Sequence, residues 1–302
     1  MNVLKIVYMG CVQFSYEGLR YLLELQRENV SIEIIGIVTR EVSDFNSDFK
    51  SLRELAEQFS IPCFIAKGSD QDSLAKWLKN IQPDVVYCFG WSYLLKKEVL
   101  KIPRMGVVGY HPSLLPANRG RHPLIWALVL GLSETGSTFF FMDEQADRGD
   151  ILSQRRIEIS DTDDAASLYQ KMTETALQQM KELTLQLQQG TYSRIPQPVT
   201  GSNTWRKRGQ EDGRIDWRMS NRSIYNLIRG LTRPYPGAHF KKDNKDIKVW
   251  KSEIITNENY PNLEPGKVIR VENKSVVVKC GEGLIRLLDH EMTELPKVGD
   301  YL

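Results

Sequence analysis

The chain has 302 residues and a mass of 34.7 kDa, is 41% hydrophobic and 26% charged, and sets 40 Lys and Arg against 38 Asp and Glu. Those proportions exclude a disordered, collagenous, coiled-coil or disulfide-scaffold chain, and at roughly 150 residues per domain they suggest about two domains. The near-balance of charge argues against a chain that lives on nucleic-acid phosphates, and the longest apolar runs fall far short of the roughly 18 residues a membrane span needs.

Met1-Asn-Val-Leu-Lys5 leads straight into the apolar run Lys5-Ile-Val-Tyr-Met-Gly10, so no secretory signal is expected. Ser15 opens a stretch with Leu19, Leu22, Leu23 and Leu25 near helical spacing, and Ile32 to Val38 reads as a buried strand. Leu52 to Phe59 reads as a helix, Pro62 to Ala66 as a short strand and Asp72 to Ile81 as another helix. Asp84-Val-Val-Tyr-Cys-Phe-Gly90 and Gly106-Val-Val-Gly-Tyr110 are further buried runs. Strands alternating with helices imply a doubly wound, mostly parallel α/β sheet of Rossmann-like type, with ligands beyond the carboxyl ends of its strands. The loops after Gly10, Phe89 and Tyr110 are therefore the places for a site. Thr138 to Met142 and Ile151 to Ile159 read as strands joined by the turn Asp143-Glu-Gln-Ala-Asp-Arg-Gly149, and Ala165 to Gln189 as one long helix. Gly190 to Asn203, rich in Gly, Pro, Ser and Thr, reads as a linker. Beyond it come Ile215-Asp-Trp217, a helix from Ser220 to Leu231 and strands at Ile247 to Ile255, Gly266 to Val271, Ser275 to Lys279 and Leu284 to Leu288. The expected division is a catalytic domain at 1–200 and a smaller β-rich, barrel-like domain at 201–302.

The four cysteines, Cys11, Cys63, Cys88 and Cys280, form no CxxC or Cys/His cluster. No metal site and a reducing, cytoplasmic setting are expected. Gly10-Cys-Val-Gln-Phe-Ser15 lacks both GxGxxG and GxxxxGK[ST], so neither a dinucleotide loop nor a P-loop follows the first strand. Histidine is scarce, and His111 directly follows the fourth apolar run. A solvated loop whose histidine ends a strand would read the same way. Asp147 lies in the acidic turn, where a lone aspartate is more often structural. Taken together they suggest an imidazole held by a carboxylate for proton transfer.

His111-Pro-Ser-Leu-Leu-Pro116, Arg119-Gly120-Arg121, Pro123-Leu-Ile-Trp126, Glu134-Thr-Gly-Ser-Thr138 and Ala146-Asp-Arg-Gly-Asp-Ile-Leu152 resemble the formyltetrahydrofolate-dependent formyltransferases. The likeness continues in Ile215-Asp-Trp217 and in Ile224-Tyr-Asn-Leu-Ile-Arg-Gly-Leu-Thr-Arg-Pro-Tyr-Pro-Gly-Ala238, where it is strongest to the sugar-nucleotide N-formyltransferases. The resemblance implies a catalytic Asn-x-His and the aspartate of an Asp-x-Gly turn. His111 and Asp147 match; the asparagine position is Gly109. Losing one donor to the oxyanion can cost on the order of 100- to 1,000-fold in rate. Protonated His111 or a water, and after them a backbone N–H or Asn118, are the candidate replacements; otherwise the chain is slow, or binds without transfer. A glycine there is also expected to open room beside the reacting centre.

The resemblance further implies 10-formyltetrahydrofolate as co-substrate, with no metal. Tyr93, Leu94, Leu95, Arg121 and the turn Asp143, Glu144, Gln145, Ala146 and Asp147 would hold it, although Tyr93-Leu-Leu95 also reads as the opening of a buried helix. Gln13, Phe14, Asn46 and Arg119 are weaker candidates for the acceptor. The implied acceptor is a nucleotide-linked amino sugar, first a UDP-4-amino-4,6-dideoxy-N-acetyl-hexosamine of the pseudaminic-acid type, second a dTDP-amino-dideoxyhexose. Methionyl-tRNA is the rival acceptor. The loop Glu41-Val-Ser-Asp-Phe-Asn-Ser-Asp-Phe49, with three acids and no base, speaks against it, because nucleic-acid binding needs cations. Asn46-Ser-Asp-Phe49 itself resembles the sugar group. No membrane partner is expected, and a homodimer through the C-terminal region would be in keeping with the sugar enzymes.

Overall fold

The computed structural model describes residues 3–28, 30–42, 48–258 and 260–302. In chain order its elements are β1 (Leu4–Met9), α1 (Gln13–Arg27), β2 (Ile32–Thr39), α2 (Arg53–Gln58), β3 (Cys63–Ile65), α3 (Gln71–Ile81), β4 (Val85–Cys88), α4 (Lys97–Leu100) and β5 (Val107–His111). There follow β6 (Arg119–Gly120), α5 (Pro123–Val129), β7 (Glu134–Phe141), β8 (Ile151–Glu158), α6 (Ala165–Gln189), β9 (Thr204–Trp205) and α7 (Asn221–Leu231). The chain then forms β10 (Ala238–Lys242), β11 (Lys245–Ile255), β12 (Val268–Glu272), β13 (Ser275–Lys279) and β14 (Leu284–His290). Two compact units result: residues 1–120, 136–157 and 171–204, and residues 121–135, 158–170 and 205–302.

The first unit carries a seven-stranded sheet in the order β3-β2-β1-β4-β5-β7-β8. Pairs β2–β3, β1–β2, β1–β4 and β4–β5 are parallel, and β5–β7 is antiparallel. Strands covered on both faces need apolar residues at every position. Ile6, Val7, Tyr8 and Met9 accordingly have no exposed surface. α1 buries Phe14, Leu19, Leu22, Leu23 and Leu25, and Asp70 caps α3 by accepting a hydrogen bond from the Ser73 N–H at 3.1 Å.

The strand order reverses between β1 and β4, where an open sheet of this kind usually presents its ligand crevice. Here the two loops pack on each other. A Cβ on Gly10 would stand 2.4 Å from the Phe89 carbonyl oxygen, and one on Gly90 would stand 2.1 Å from Val12 Cγ2. The Ser15 hydroxyl donates to the Phe89 carbonyl at 2.6 Å. The neighbouring carboxyl end, that of β5, carries His111. Residues 91–96 form a loop rather than the start of a helix; α4 begins only at Lys97.

In the second unit a five-stranded antiparallel sheet runs β10-β11-β14-β13-β12. β11 shifts register around Val249 and Lys251, which bends a long strand. α7, capped by the Ser220 hydroxyl, lays Ile224, Leu227, Ile228 and Leu231 into a core with Trp217, Phe240, Val276, Val278 and Ile285. No helix among the described residues is long and apolar enough to cross a membrane.

His239 on β10 is 1% exposed, and neither ring nitrogen has a hydrogen-bond partner among the described residues. Burial pushes its pKa below the usual histidine value; Asp246, 3.9 Å from Nε2, opposes the shift, as does Glu211, while Lys248 and Arg214 reinforce it. The folded unit therefore holds a neutral ring, and the unfolded chain titrates near 6.5. The unit keeps its full stability above that value and loses it as pH falls below it toward the folded pKa. Denaturant unfolding at pH 7.5 and pH 5 should show this loss in the wild type and a smaller one in His239→Leu.

Candidate active site

His111 ends β5 and is 5% exposed. Its Nε2 lies 2.8 Å from the Asn118 carbonyl oxygen. A carbonyl only accepts, so Nε2 carries a hydrogen and the neutral ring keeps its lone pair on Nδ1. Nδ1 faces Asp147 Oδ1 at 3.7 Å, an ion-pair separation once the ring is protonated and longer than a hydrogen bond. The structure thus brings together the two residues singled out by type.

Asp147 sits at φ +58°, in the left-handed region where aspartate is one of the tolerated residues. The Gly120 N–H donates to its Oδ2 at 3.0 Å. Its backbone carbonyl accepts from Arg119 Nε at 3.0 Å and from Gln197 Nε2 at 2.9 Å. Gln197 Nε2 also donates to the Gly149 carbonyl at 2.8 Å, and its Oε1 accepts from Arg119 at 2.6 Å. Gly149 is required by close packing, since a Cβ there would fall 1.6 Å from the Phe141 carbonyl oxygen.

Arg119, an acceptor-side candidate from sequence, is 8% exposed with its guanidinium committed to these bonds. Burial, with the charge of Arg148 second, draws its pKa down, and Asp147 and Asp143 oppose that shift. Phe14 is buried, its ring centroid 4.5 Å from that of Tyr110. Gln13 donates to Glu17 at 2.9 Å along α1. Asn46 lies outside the described residues. Arg121 belongs to the second unit, where its N–H donates to the Trp205 carbonyl at 3.1 Å.

Gly109 precedes His111 by two residues on the same face of β5. It does not open room. A Cβ there would meet Met142 Cγ at 2.8 Å, Phe140 Cζ at 3.0 Å and Met142 Sδ at 3.2 Å. A thioether fills the space into which a longer side chain at 109 would project.

Leu95 is buried, Tyr93 half-buried beneath the Arg40 guanidinium at 4.8 Å, and Leu94 59% exposed. Gln71 fixes this loop, donating to the Leu94 carbonyl at 2.7 Å and accepting from the Lys96 N–H at 2.6 Å. Lys97 pairs with Glu144 at 3.1 Å and so ties α4 to the acidic turn. Asp143, Glu144, Gln145 and Ala146 are exposed, and Asp143 Oδ1 accepts from the Gln145 N–H at 2.8 Å. An exposed leucine on a tethered loop, with an open turn offering backbone groups, suits a flat heterocycle. Among the described residues no cluster of three or more His, Cys, Asp or Glu side chains could hold a metal ion, and all four cysteines are free.

Sequence reasoning passed over Gln197, Asn118 as the histidine's partner, and Met142. Only the Gly-Pro-rich context of Gln197 was visible, and that context reads as a linker.

Residues 5–184 match the formyl transferase family, and residues 207–297 match the formyl transferase C-terminal domain. The chain is 31% identical over 306 residues to the methionyl-tRNA formyltransferase of Caldanaerobacter subterraneus subsp. tengcongensis, covering 99% of this chain and 96% of that one. It is 31% identical over 294 residues to the bifunctional polymyxin resistance protein ArnA of Wigglesworthia glossinidia brevipalpis, covering 96% of this chain and 43% of ArnA, less than half that protein's length. Among solved structures, the N-formyltransferase from Helicobacter canadensis, in complex with folinic acid and dTDP-3-aminofucose, superposes with a TM-score of 0.73 at 19% identity. That alignment covers 95% of this chain and 100% of the other, and at such identity it speaks for the fold. With both domains matched and a full-length relative above 30% identity, the chain belongs to the formyl transferase family.

Proposed function

We propose that this formyltransferase moves the formyl group of 10-formyltetrahydrofolate to the amine of a nucleotide-linked amino sugar. The observation that carries the reading is the fixed imidazole, with Nε2 tied to the Asn118 carbonyl and Nδ1 facing Asp147. The folate, when bound against Leu94 and the Asp143–Asp147 turn, supplies the formyl carbon. An amine attacking that carbon must shed a proton, and Nδ1 of His111 is the ring nitrogen free to take it. The imidazolium then lies between the Asn118 carbonyl at Nε2 and the Asp147 carboxylate facing Nδ1. His111 afterwards passes the proton to the folate nitrogen that departs, so the ring ends as it began. One N–H and one C–N bond break, and one of each forms.

Two features favour a sugar over a transfer RNA: the overall charge of +2 and the acidic composition of residues 41–49. Phosphates are drawn to cations, and that stretch offers none. The first choice of acceptor is a UDP-4-amino-4,6-dideoxy-N-acetyl-hexosamine and the second a dTDP-amino-dideoxyhexose. The transfer-RNA reading draws support from the relatives at about one-third identity that are named methionyl-tRNA formyltransferases. The deciding assay offers 10-formyltetrahydrofolate with the UDP sugar, with dTDP-3-aminofucose and with charged initiator tRNA, and follows the added carbonyl mass. Product with a sugar and none with the tRNA is expected. Product with tRNA alone overturns the acceptor, and tight folate binding with no product anywhere would mark a non-catalytic binder.

A further inference from the structure

We infer that the segment from Arg194 to Asn203, which lies between the two family-matched regions, is a strap that positions both members of the catalytic pair. The inference rests on the reading of His111 and Asp147 as that pair.

The segment is pinned at several points along the first unit. Arg194 stacks over Phe141 at 3.6 Å and donates to the Met105 carbonyl at 2.8 Å. Ile195 exchanges backbone hydrogen bonds with Ile151 at 2.8 and 2.9 Å. Next, Gln197 bonds the carbonyls of Asp147 and Gly149 and accepts from Arg119. Finally, Asn203 Oδ1 accepts from the Asn118 N–H at 2.6 Å, and its carbonyl accepts from the Arg119 N–H at 3.1 Å.

Two of these anchors reach the chemistry. Asn118 is the residue whose carbonyl fixes Nε2 of His111, and it stands at φ +64°, a left-handed conformation that asparagine tolerates. Asn203 holds its backbone N–H in place. Gln197 does the same for Asp147, also left-handed, through the backbone carbonyl rather than the carboxylate. The strap thus sets the separation of an imidazole and a carboxylate that no direct hydrogen bond fixes. Gln197 and Asn203 are positioning residues; neither need touch substrate.

The test compares Gln197→Ala, Asn203→Ala and Asn203→Asp with the wild type and with His111→Asn. In uniformly 15N-labelled protein, the His111 signals, assigned by their loss in His111→Asn, report which ring nitrogen carries the hydrogen. The wild type should show Nε2–H. Asn203→Ala should mix the two tautomers, and Asn203→Asp, which keeps an acceptor oxygen, should restore the wild-type pattern. Formyl transfer to the acceptor found above should fall about 10- to 100-fold in kcat in Gln197→Ala and Asn203→Ala. KM for 10-formyltetrahydrofolate should stay within about two-fold in Asn203→Ala, whose bonds go to Asn118 and Arg119; in Gln197→Ala it should rise as well, because Gln197 holds Asp147 at the end of the folate-side turn. Wild-type tautomer and kcat in both alanine variants, with transfer lost in His111→Asn, would overturn the strap alone. Transfer retained in His111→Asn would instead overturn the catalytic pair beneath it.

Discussion

His111→Asn should lower single-turnover formyl transfer by about 100- to 10,000-fold, the range that a positioned general base contributes. Asparagine offers an N–H toward the Asn118 carbonyl but no nitrogen that can take and return a proton. The binding of 5-formyltetrahydrofolate, read by calorimetry, should therefore survive. Asp147→Asn is the matched variant. Asparagine tolerates φ +58° and keeps an acceptor for the Gly120 N–H, so its effect isolates the carboxylate charge. A fall in rate without a fall in melting temperature is expected there. Equal turnover in wild type and His111→Asn would remove the proposed chemistry.

The second large effect concerns Gly109. Restoring the asparagine that the resemblance implies should, by itself, destabilise the protein by about 1–3 kcal/mol, because the new Cβ runs into Met142 and Phe140. The thioether can swing away. Phe140 has less freedom, since it is 3% exposed and packs in one cluster with Leu115 and Ile151. Gly109→Asn combined with Met142→Ala vacates the space. If the oxyanion lacks a donor in the wild type, the double variant should transfer about 100-fold faster. Rate and melting temperature across the four-member cycle give the coupling directly. An unchanged rate in a stable double variant would mean that another donor already serves the oxyanion.

The parallel half of the fold is readable in the sequence because strands covered on both faces cannot hide their composition: Ile6 to Met9 and Val85 to Cys88 are unbroken apolar runs. β10 escapes the same reading because Ala238-His-Phe-Lys-Lys242 carries two lysines and a buried histidine, a mixed pattern with no clear period. The C-terminal strands are found by their β-branched residues, but composition does not fix pairing, so the expected barrel-like module is an antiparallel sheet with β10 and β12 at the ends of its order. Tyr93-Leu-Leu95 also reads as the opening of a buried helix, but residues 91–96 form a loop that Gln71, distant in sequence, tethers.

At the site, residue type only suggests His111 and Asp147, the resemblance to the formyltransferases names them as a pair, and the structure places them 3.7 Å apart. The backbone groups beside them are bonded by Gln197 and Asn203, whose side chains lie in a stretch that composition marks as a connection. The role of Arg119 was ambiguous for a related reason. An arginine between asparagine and glycine looks like an anion-facing loop residue, and only its burial shows that it braces the Asp147 carbonyl. The filled space at Gly109 was likewise invisible, because the occupant comes from Met142 at the end of a different strand.

A crystal structure with a stable 10-formyl folate analogue bound shows whether Nδ1 of His111 is placed to take the amine's proton and return it to the departing folate nitrogen. The pterin is expected against Leu94 and the Asp143–Asp147 turn, with the formyl carbon on the Asp147 side of the ring and within about 4 Å of Nδ1. A folate whose formyl group lies away from that nitrogen, with Nδ1 turned from the ligand, would contradict that placement.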